Sequence, residues 1–199
     1  MFDVGVSYNQ IKDELDKIKI IFVSHLHTDH IKKDTVIKIK ENYPKIMFVG
    51  GNNTKDLYEE LEVRHTIMEL GKVYDFKVMK LATVALYHDI ENYGLRVFHN
   101  EIKGIYITDT NTVEGIHFKD YDFVIIEANY DEDRHLKLAE TSSFGNRYLN
   151  AMNSHLSFKQ AHTAIDENAK DGTEILLIHL SSAYDPFMYE LHYIYKEKE

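Results

Sequence analysis

Seven consecutive residues, Ser24-His25-Leu26-His27-Thr28-Asp29-His30, constrain this chain more than any other stretch. They begin where Ile20 to Ser24, a short β-branched and aromatic run of the kind a buried strand uses, comes to its end. Three histidines and a carboxylate within six positions cannot all be packed into a core. The strand therefore has to finish at an edge where polar side chains converge. In extended chain, residues two apart point the same way, so His25 and His27 are placed to pinch one metal ion. Once the chain turns into a helix, Asp29 and His30 can face a second ion beside the first.

A His-x-His pair needs further ligands to close a site, and four residues stand where such ligands belong. His88 follows the strand ending at Tyr87, Asp109 ends Ile105–Thr108, and His179 ends Ile175–Ile178. His155 precedes a capping box made by Ser157 and Gln160. Composition points the same way. The chain has 12 His and no Cys, which excludes a disulfide framework, a zinc finger, an iron–sulfur cluster and a thiol nucleophile. The surplus imidazole is best spent on metal. A net charge of −10 argues against tight binding along duplex nucleic acid, which needs clustered Lys and Arg. It leaves room for a small anionic substrate, provided positive charge is supplied locally.

With 44% hydrophobic and 28% charged residues the chain reads as globular, and we expect one domain over residues 1–199. No apolar run approaches the roughly 20 residues of a membrane span. The opening MFDVGVSYNQ lacks a signal peptide, so a cytoplasmic protein without membrane partners is expected. The pattern predicts an opening strand at Val4 and Val6, then a helix capped by Ser7 and Gln10 with Ile11, Leu15 and Ile18 on one face. It continues with a helix from about Ile31 to Glu41, a strand at Ile46–Val49 and a helix at Asn53–Leu61. Strand-like segments dominate the middle (Lys72–Phe76, Val78–Leu86, Leu95–His99, Gly104–Thr108, Phe123–Glu127). Helices at about Glu132–Glu140, Phe144–Asn150 and Ser157–Lys170 precede a last strand, Ile175–Ile178. Helices at both ends around an antiparallel middle indicate two sheets covered on the outside.

The run His25-Leu26-His27-Thr28-Asp29-His30, with His88, Asp109 and His179 at later strand ends, resembles the hallmark of the metallo-β-lactamase-fold hydrolases. The resemblance covers nearly the whole chain. It implies an α/β fold, a four-layer αββα sandwich of two mixed β-sheets. It also implies two divalent metal ions, zinc before manganese: one held by His25, His27 and His88, the other by Asp29, His30 and His179, with Asp109 bridging. Phe2-Asp3-Val4-Gly5 looks like the family's first Asp-x-Gly motif, whose Asp supports the metal loop from behind.

Within the superfamily, His155-Leu156-Ser157 and Glu127-Ala128-Asn129-Tyr130-Asp131 look like the phosphodiesterase and nuclease branch, namely tRNA 3′-endonucleases and a bacterial exonuclease-like group. Small phage-encoded members share runs such as Thr108-Asp109-Thr110-Asn111-Thr112, and some phage relatives cleave cyclic nucleotides; a phage-encoded chain would work in the host cytoplasm. By this likeness Asp29 orients or deprotonates the attacking water and His155 protonates the leaving alkoxide. At a helix N-terminus the dipole disfavours charge on His155 before phosphate binds.

Asn92 and Ser181 are candidate substrate contacts, and Tyr93 and Tyr130 candidate stacking partners for a base. The remaining histidines, His65, His99, His117, His135, His162 and His192, read as surface or capping residues. The expected substrate is a small anionic phosphodiester or a short nucleic acid. Two departures stand out. The hairpin that usually precedes the Asp-x-Gly strand is missing, which shortens the first sheet and suggests a homodimer across its edge. No tRNA-gripping arm is visible. Thioesterase- or lactamase-type hydrolysis on the same fold, or metal binding without turnover, are the competing readings.

Overall fold

Alternation along a four-residue strand already separates two cores. The protein, described by a computed structural model over residues 1–181 and 190–197, places β1 at Ile20–Val23. Ile21 and Val23 pack outward against helices, while Phe22 points inward to a second apolar cluster. β1, β2 (Met47–Gly50) and β3 (His65–Ile67) form a three-stranded parallel sheet. Parallel neighbours need crossovers. α2 (Lys33–Asn42) and α3 (Lys55–Glu60) supply them, burying Val36, Ile39, Leu57 and Tyr58 against Ile21, Val23 and Phe48. α1 (Tyr8–Ile11) carries the expected Ser7–Gln10 capping box.

Among the described residues the larger sheet is mixed and has seven strands, β4 (Tyr74–Asp75), β5 (Lys80–Leu86), β6 (Asn92–His99), β7 (Ile102–Ile107), β8 (Phe123–Glu127), β9 (Glu174–Ile178) and β10 (His192–Ile194). Ile105, Ile107, Val124 and Ile126 face outward, onto Phe158, Ala161 and Ile165 of α6 (Phe158–Asn168). Tyr106 and Leu95 face inward and meet Phe22 and Val49 of the small sheet. The layers are therefore helix, sheet, sheet, helix: the four-layer sandwich, with both strand directions confined to the larger sheet. α4 (Glu132–Thr141) and α5 (Gly145–Ser154) lie between β8 and α6.

Strand direction decides where polar residues collect. β7, β8 and β9 run parallel to one another, and β5 shares their direction because both it and β7 are antiparallel to β6. The carboxyl ends of β5, β7, β8 and β9 thus open at one edge, the usual place for a site in sheets of this kind.

Several expectations need correction. The opening strand is absent: Phe2 and Val4 make only isolated bridges, to Phe22 and Ile31, because Asp3 takes a positive φ of 53° that breaks the extended run. These residues still occupy the flank of β1, with Asp3 N donating to Phe22 O at 2.8 Å. The first helix lasts one turn and continues as the 3₁₀ stretch Lys12–Lys17, in which only Leu15 is buried. β3 and β10 were not expected; both are three residues long, too short for periodicity to register. Among the described residues no helix is long and apolar enough to cross a membrane.

Candidate metal centre

Segments from both sheets deliver the polar cluster. The β1 end carries His25, His27, Asp29 and His30; β5 leads to His88, β7 to Asp109, β9 to His179, and α5 to His155. All eight expected residues converge. His25, His27, His88 and Asp109 each place a donor atom within 4.8 Å of one another, and Asp29, His30 and His179 do the same. Asp109 lies between the two groups. Its Oδ2 is 3.6 Å from His25 Nε2, 3.6 Å from His88 Nε2 and 3.3 Å from His30 Nε2, while its Oδ1 is 3.4 Å from His179 Nε2.

Three of the imidazoles are oriented from behind. Asp3 Oδ2 accepts from His30 Nδ1 at 2.8 Å and from the Tyr106 hydroxyl at 2.7 Å, and Asp3 Oδ1 accepts from Ser24 N at 2.8 Å. His25 Nδ1 sits 3.0 Å from Ser24 Oγ, and His88 Nδ1 donates to the Ser154 carbonyl at 3.0 Å. Holding Nδ1 leaves Nε2 free to face the cluster, the arrangement metal-ligating histidines adopt. Gly5 explains the Asp-x-Gly spacing: a Cβ there would stand 1.7 Å from the Asp29 carbonyl oxygen, so only glycine lets the first residues lie against the histidine loop.

Asp3, Asp109 and His179 all have positive φ, at 53°, 46° and 57°. Left-handed backbone costs a non-glycine residue roughly 1–3 kcal/mol and persists only where surroundings over-determine it. They do here. Asn92 Nδ2 donates to the carbonyls of Thr108 (2.9 Å) and Asp109 (2.7 Å), and Asn129 Nδ2 donates to the His179 carbonyl at 2.8 Å.

The electrostatics are divided. Burial pushes His25 down to about 3, which keeps it neutral. Burial opposes charge on His30 too, but the carboxylates of Asp109 and Asp3 outweigh it and push that imidazole up to about 10. Burial likewise works against the Asp109 carboxylate, yet His30 and His179 hold it well below the usual carboxylate range.

Sequence reasoning gave no role to Glu127. It ends β8, is fully buried, and accepts from Leu156 N at 3.2 Å, from Thr110 N, and from His155 Nδ1 at 2.9 Å. Its Oε2 also lies 3.5 Å from His179 Nδ1. The signal was present, since an acidic residue closing the apolar run Phe123-Val124-Ile125-Ile126 needs partners at that edge. The helix-dipole reading of His155 therefore omitted its strongest neighbour, a buried carboxylate. The His155 ring stands 5.0 Å from those of both His88 and His179.

Three other expectations fail on burial. Asn92 is only 2% exposed and spends both amide hydrogens on the backbone beneath Asp109, so it positions that residue and does not reach substrate. Tyr93 and Tyr130 are buried, with hydroxyls on Glu91 and the Met152 carbonyl, and cannot stack on a base. His135 is no surface residue: it packs between Tyr130 and Tyr148. Ser181 lies beyond β9, where its N–H donates to the Asn129 carbonyl at 2.8 Å.

The donor set fits divalent metal. Among the described residues His30 Nε2 is buried without a hydrogen-bond partner, with Asp109 Oδ2 3.3 Å away, and His27 Nδ1 lies 3.0 Å from His25 Nε2 and 3.3 Å from His88 Nε2. Nitrogens and a carboxylate gathered this closely form a set of donors that divalent cations can bridge. Imidazole and carboxylate without thiolate suit Zn²⁺ and Mn²⁺.

Comparison with known proteins bears on the fold. Residues 6–180 match the family described as "Beta-lactamase superfamily domain". The fold resembles the metallo-β-lactamase fold protein YhfI from Bacillus subtilis, with TM-score 0.71 and 16% identity over 90% of this chain and 73% of that one. It also resembles the short form of human tRNase Z, with TM-score 0.64 and 19% identity over 92% and 82%. A diphosphatase from the PhnP family gives TM-score 0.63 and 15% identity over 90% and 67%. At such identities the likeness is one of fold alone. No curated protein matches the chain.

Proposed function

The chain belongs to the beta-lactamase superfamily, as a metal-dependent hydrolase of the metallo-β-lactamase fold, and from that premise we propose that it is a dinuclear phosphodiesterase. Its proposed substrate is a nucleotide, cyclic ones included, or a short nucleic acid. One observation carries the reading: His155 stands beside the candidate ligands His88 and His179 with its Nδ1 held by the buried Glu127 carboxylate. Phosphodiester hydrolysis expels an alkoxide, which needs a proton, and that requirement distinguishes it from reactions with better leaving groups. With Nδ1 fixed, a proton on His155 Nε2 is the one directed at the site. The fold it shares with tRNase Z and the diphosphatase favours the same class.

In this reading His25, His27 and His88 hold one ion, Asp29, His30 and His179 the other, and Asp109 both, with zinc favoured over manganese. Bound there, the ions would supply Lewis acidity towards a phosphoryl oxygen and a lower pKa for water. They would also reverse the local field in a chain of net charge −10, which admits an anionic substrate. Asp29, whose side chain is 66% exposed, is open to solvent and is the carboxylate proposed to orient or deprotonate the attacking water. Ser181, at the end of β9, is the proposed phosphate contact.

Hydrolysis of bis(p-nitrophenyl) phosphate with zinc or manganese, with bound metal counted, tests this. Metal-dependent turnover lost in Asp29→Ala supports it; p-nitrophenolate leaves without a proton, so the His155→Ala loss, at unchanged metal content, is read on a dinucleotide whose leaving group is an alkoxide. Two bound ions without phosphodiester cleavage would overturn it in favour of thioesters or lactams. A shallow salt dependence is expected for a small nucleotide and a steep one for a polynucleotide.

A further inference from the structure

Donor atoms carried by two different sheets have to meet in the candidate centre. His25 and His27 leave β1 of the smaller sheet, whereas His88 and Asp109 follow β5 and β7 of the larger one, yet their donors lie within 4.8 Å of one another. The sheets themselves meet through apolar side chains, Phe22 and Val49 against Leu95 and Tyr106. Contacts of that kind are non-directional. A shared ion asks for more, since its ligands must be held within about 0.5 Å of their places.

A polar clasp supplies the direction. Asn53 sits in the 3₁₀ turn Asn52–Thr54 that joins β2 to α3. Its Nδ2 donates to the Ser24 carbonyl at 2.9 Å and to the Glu91 carbonyl at 2.8 Å. Ser24 is the residue before His25, and Glu91 lies in the turn that opens with His88. Tyr93 N reaches the same Ser24 carbonyl at 3.3 Å. Two carbonyl oxygens can face only the NH₂ end of an amide. The Asn53 Oδ1 is left buried and, among the described residues, without a hydrogen-bond partner. Asn92, the neighbour of Glu91, repeats the pattern: its Nδ2 serves the Thr108 and Asp109 carbonyls, and its Oδ1 is likewise buried without a partner among the described residues. A buried acceptor left unmatched is unfavourable, so what each amide contributes at this edge is its pair of donors.

We propose that Asn53 is a positioning residue of the candidate centre, whose amide clasps the His25 loop of one sheet to the His88 turn of the other. The inference rests on the metal-dependent reading above. With Asn92 it forms a relay of two amides running from Ser24 to Asp109. The clasp acts on the group His25, His27 and His88. The second group is secured elsewhere: Asp3 holds His30, and Asn129 holds His179 at the end of β9, which β8 and β7 separate from β6.

The test uses the full chain, stripped with chelator and reloaded with Zn²⁺ alone or Co²⁺ alone. Chelator competition gives the zinc affinities, and the visible bands of Co²⁺ report the ligand arrangement. Asn53→Ala should weaken one of the two ions by about 10–100-fold and alter its Co²⁺ bands, with the other ion changed less than threefold. Asn53→Asp keeps the shape but turns the donors into acceptors, and should do the same; it carries the test if Asn53→Ala does not fold. In the double variant with His27→Ala, which already removes that position, the remaining ion should bind as in His27→Ala alone. Wild-type affinities and bands in Asn53→Asp would overturn the proposal. Equal losses at both positions together with a lower melting temperature would overturn it too, because that is how a merely structural asparagine behaves. Wild type that binds no ion would sink the metal-dependent reading itself, and two ions in wild type keep these failures apart.

Discussion

The two halves of the histidine cluster are held by different chemistry. Behind His30 and His179 stand carboxylates withdrawn from water: Asp3 receives His30, and Glu127 lies against His179 while receiving His155. Behind His25 and His88 stand neutral oxygens, the Ser24 hydroxyl and the Ser154 carbonyl, and His27 has only the exposed Asp89 nearby. A carboxylate behind an imidazole raises its basicity and fixes its tautomer, whereas a neutral oxygen does mainly the second. The difference shows in the titration of the two halves, with His25 pushed down to about 3 and His30 up to about 10. One half is built around fixed negative charge and the other around neutral donors, and Asp109 joins them.

Removing the joint should have the largest effect. Asp109→Ala deletes the one carboxylate within 3.6 Å of four imidazoles, so both halves should lose metal together. Turnover should fall by more than the roughly 100-fold upper range for loss of an outer partner. Metal analysis after dialysis checks this, and retention of one tightly held ion would mean that the halves are independent.

The asymmetry itself is broken by Asp3→Asn. The amide keeps the shape but removes the charge behind His30, and metal affinity should fall by about 10–100-fold at one position only. Chelator competition resolves the two positions, and an equal loss at both would show that the halves share their support. Gly5→Ala attacks the same half through sterics. Its methyl would meet the Asp29 carbonyl oxygen at 1.7 Å, so the histidine loop must shift. A loss of about 1–3 kcal/mol, the range for overpacked sites, is expected in chemical denaturation.

These contrasts also mark what was readable in the residues. His25 to His30 declared themselves by density, and His88, Asp109 and His179 by standing where apolar runs stop. The four layers followed from the same runs, because burial on both faces leaves a strand little choice. The supports were harder to see. Glu127 looks like the last letter of a hydrophobic strand, and Asn92 like an exposed turn residue, until the fold brings one beneath His155 and the other beneath Asp109. The positive φ values of Asp109 and His179 leave no trace in composition, since neither is a glycine. Short polar strands such as His65–Ile67 gain their pairing from a neighbour rather than from their own pattern.

The smallest expected effect concerns the lightly supported half, whose Ser154 carbonyl comes from the end of α5. Under that helix lies His135, 2% exposed, with rings of Tyr130 at 4.9 Å and Tyr148 at 5.2 Å and a buried Nδ1 that has no hydrogen-bond partner among the described residues. Burial lowers its pKa from the ordinary 6.5, while Asp131 pulls the other way and Arg134 adds to the lowering. A depressed folded-state pKa means that the unfolded chain binds the proton more readily. Stability is therefore whole above about pH 6.5 and is lost as pH falls from there towards the folded-state value. The thermal midpoint at pH 5.5 should drop below that at pH 7.5 by a few degrees more in wild type than in His135→Phe, at equal metal loading. Phenylalanine keeps the aromatic packing and removes the proton site, so identical pH responses would mean that His135 is not what makes this side of the cluster acid-sensitive.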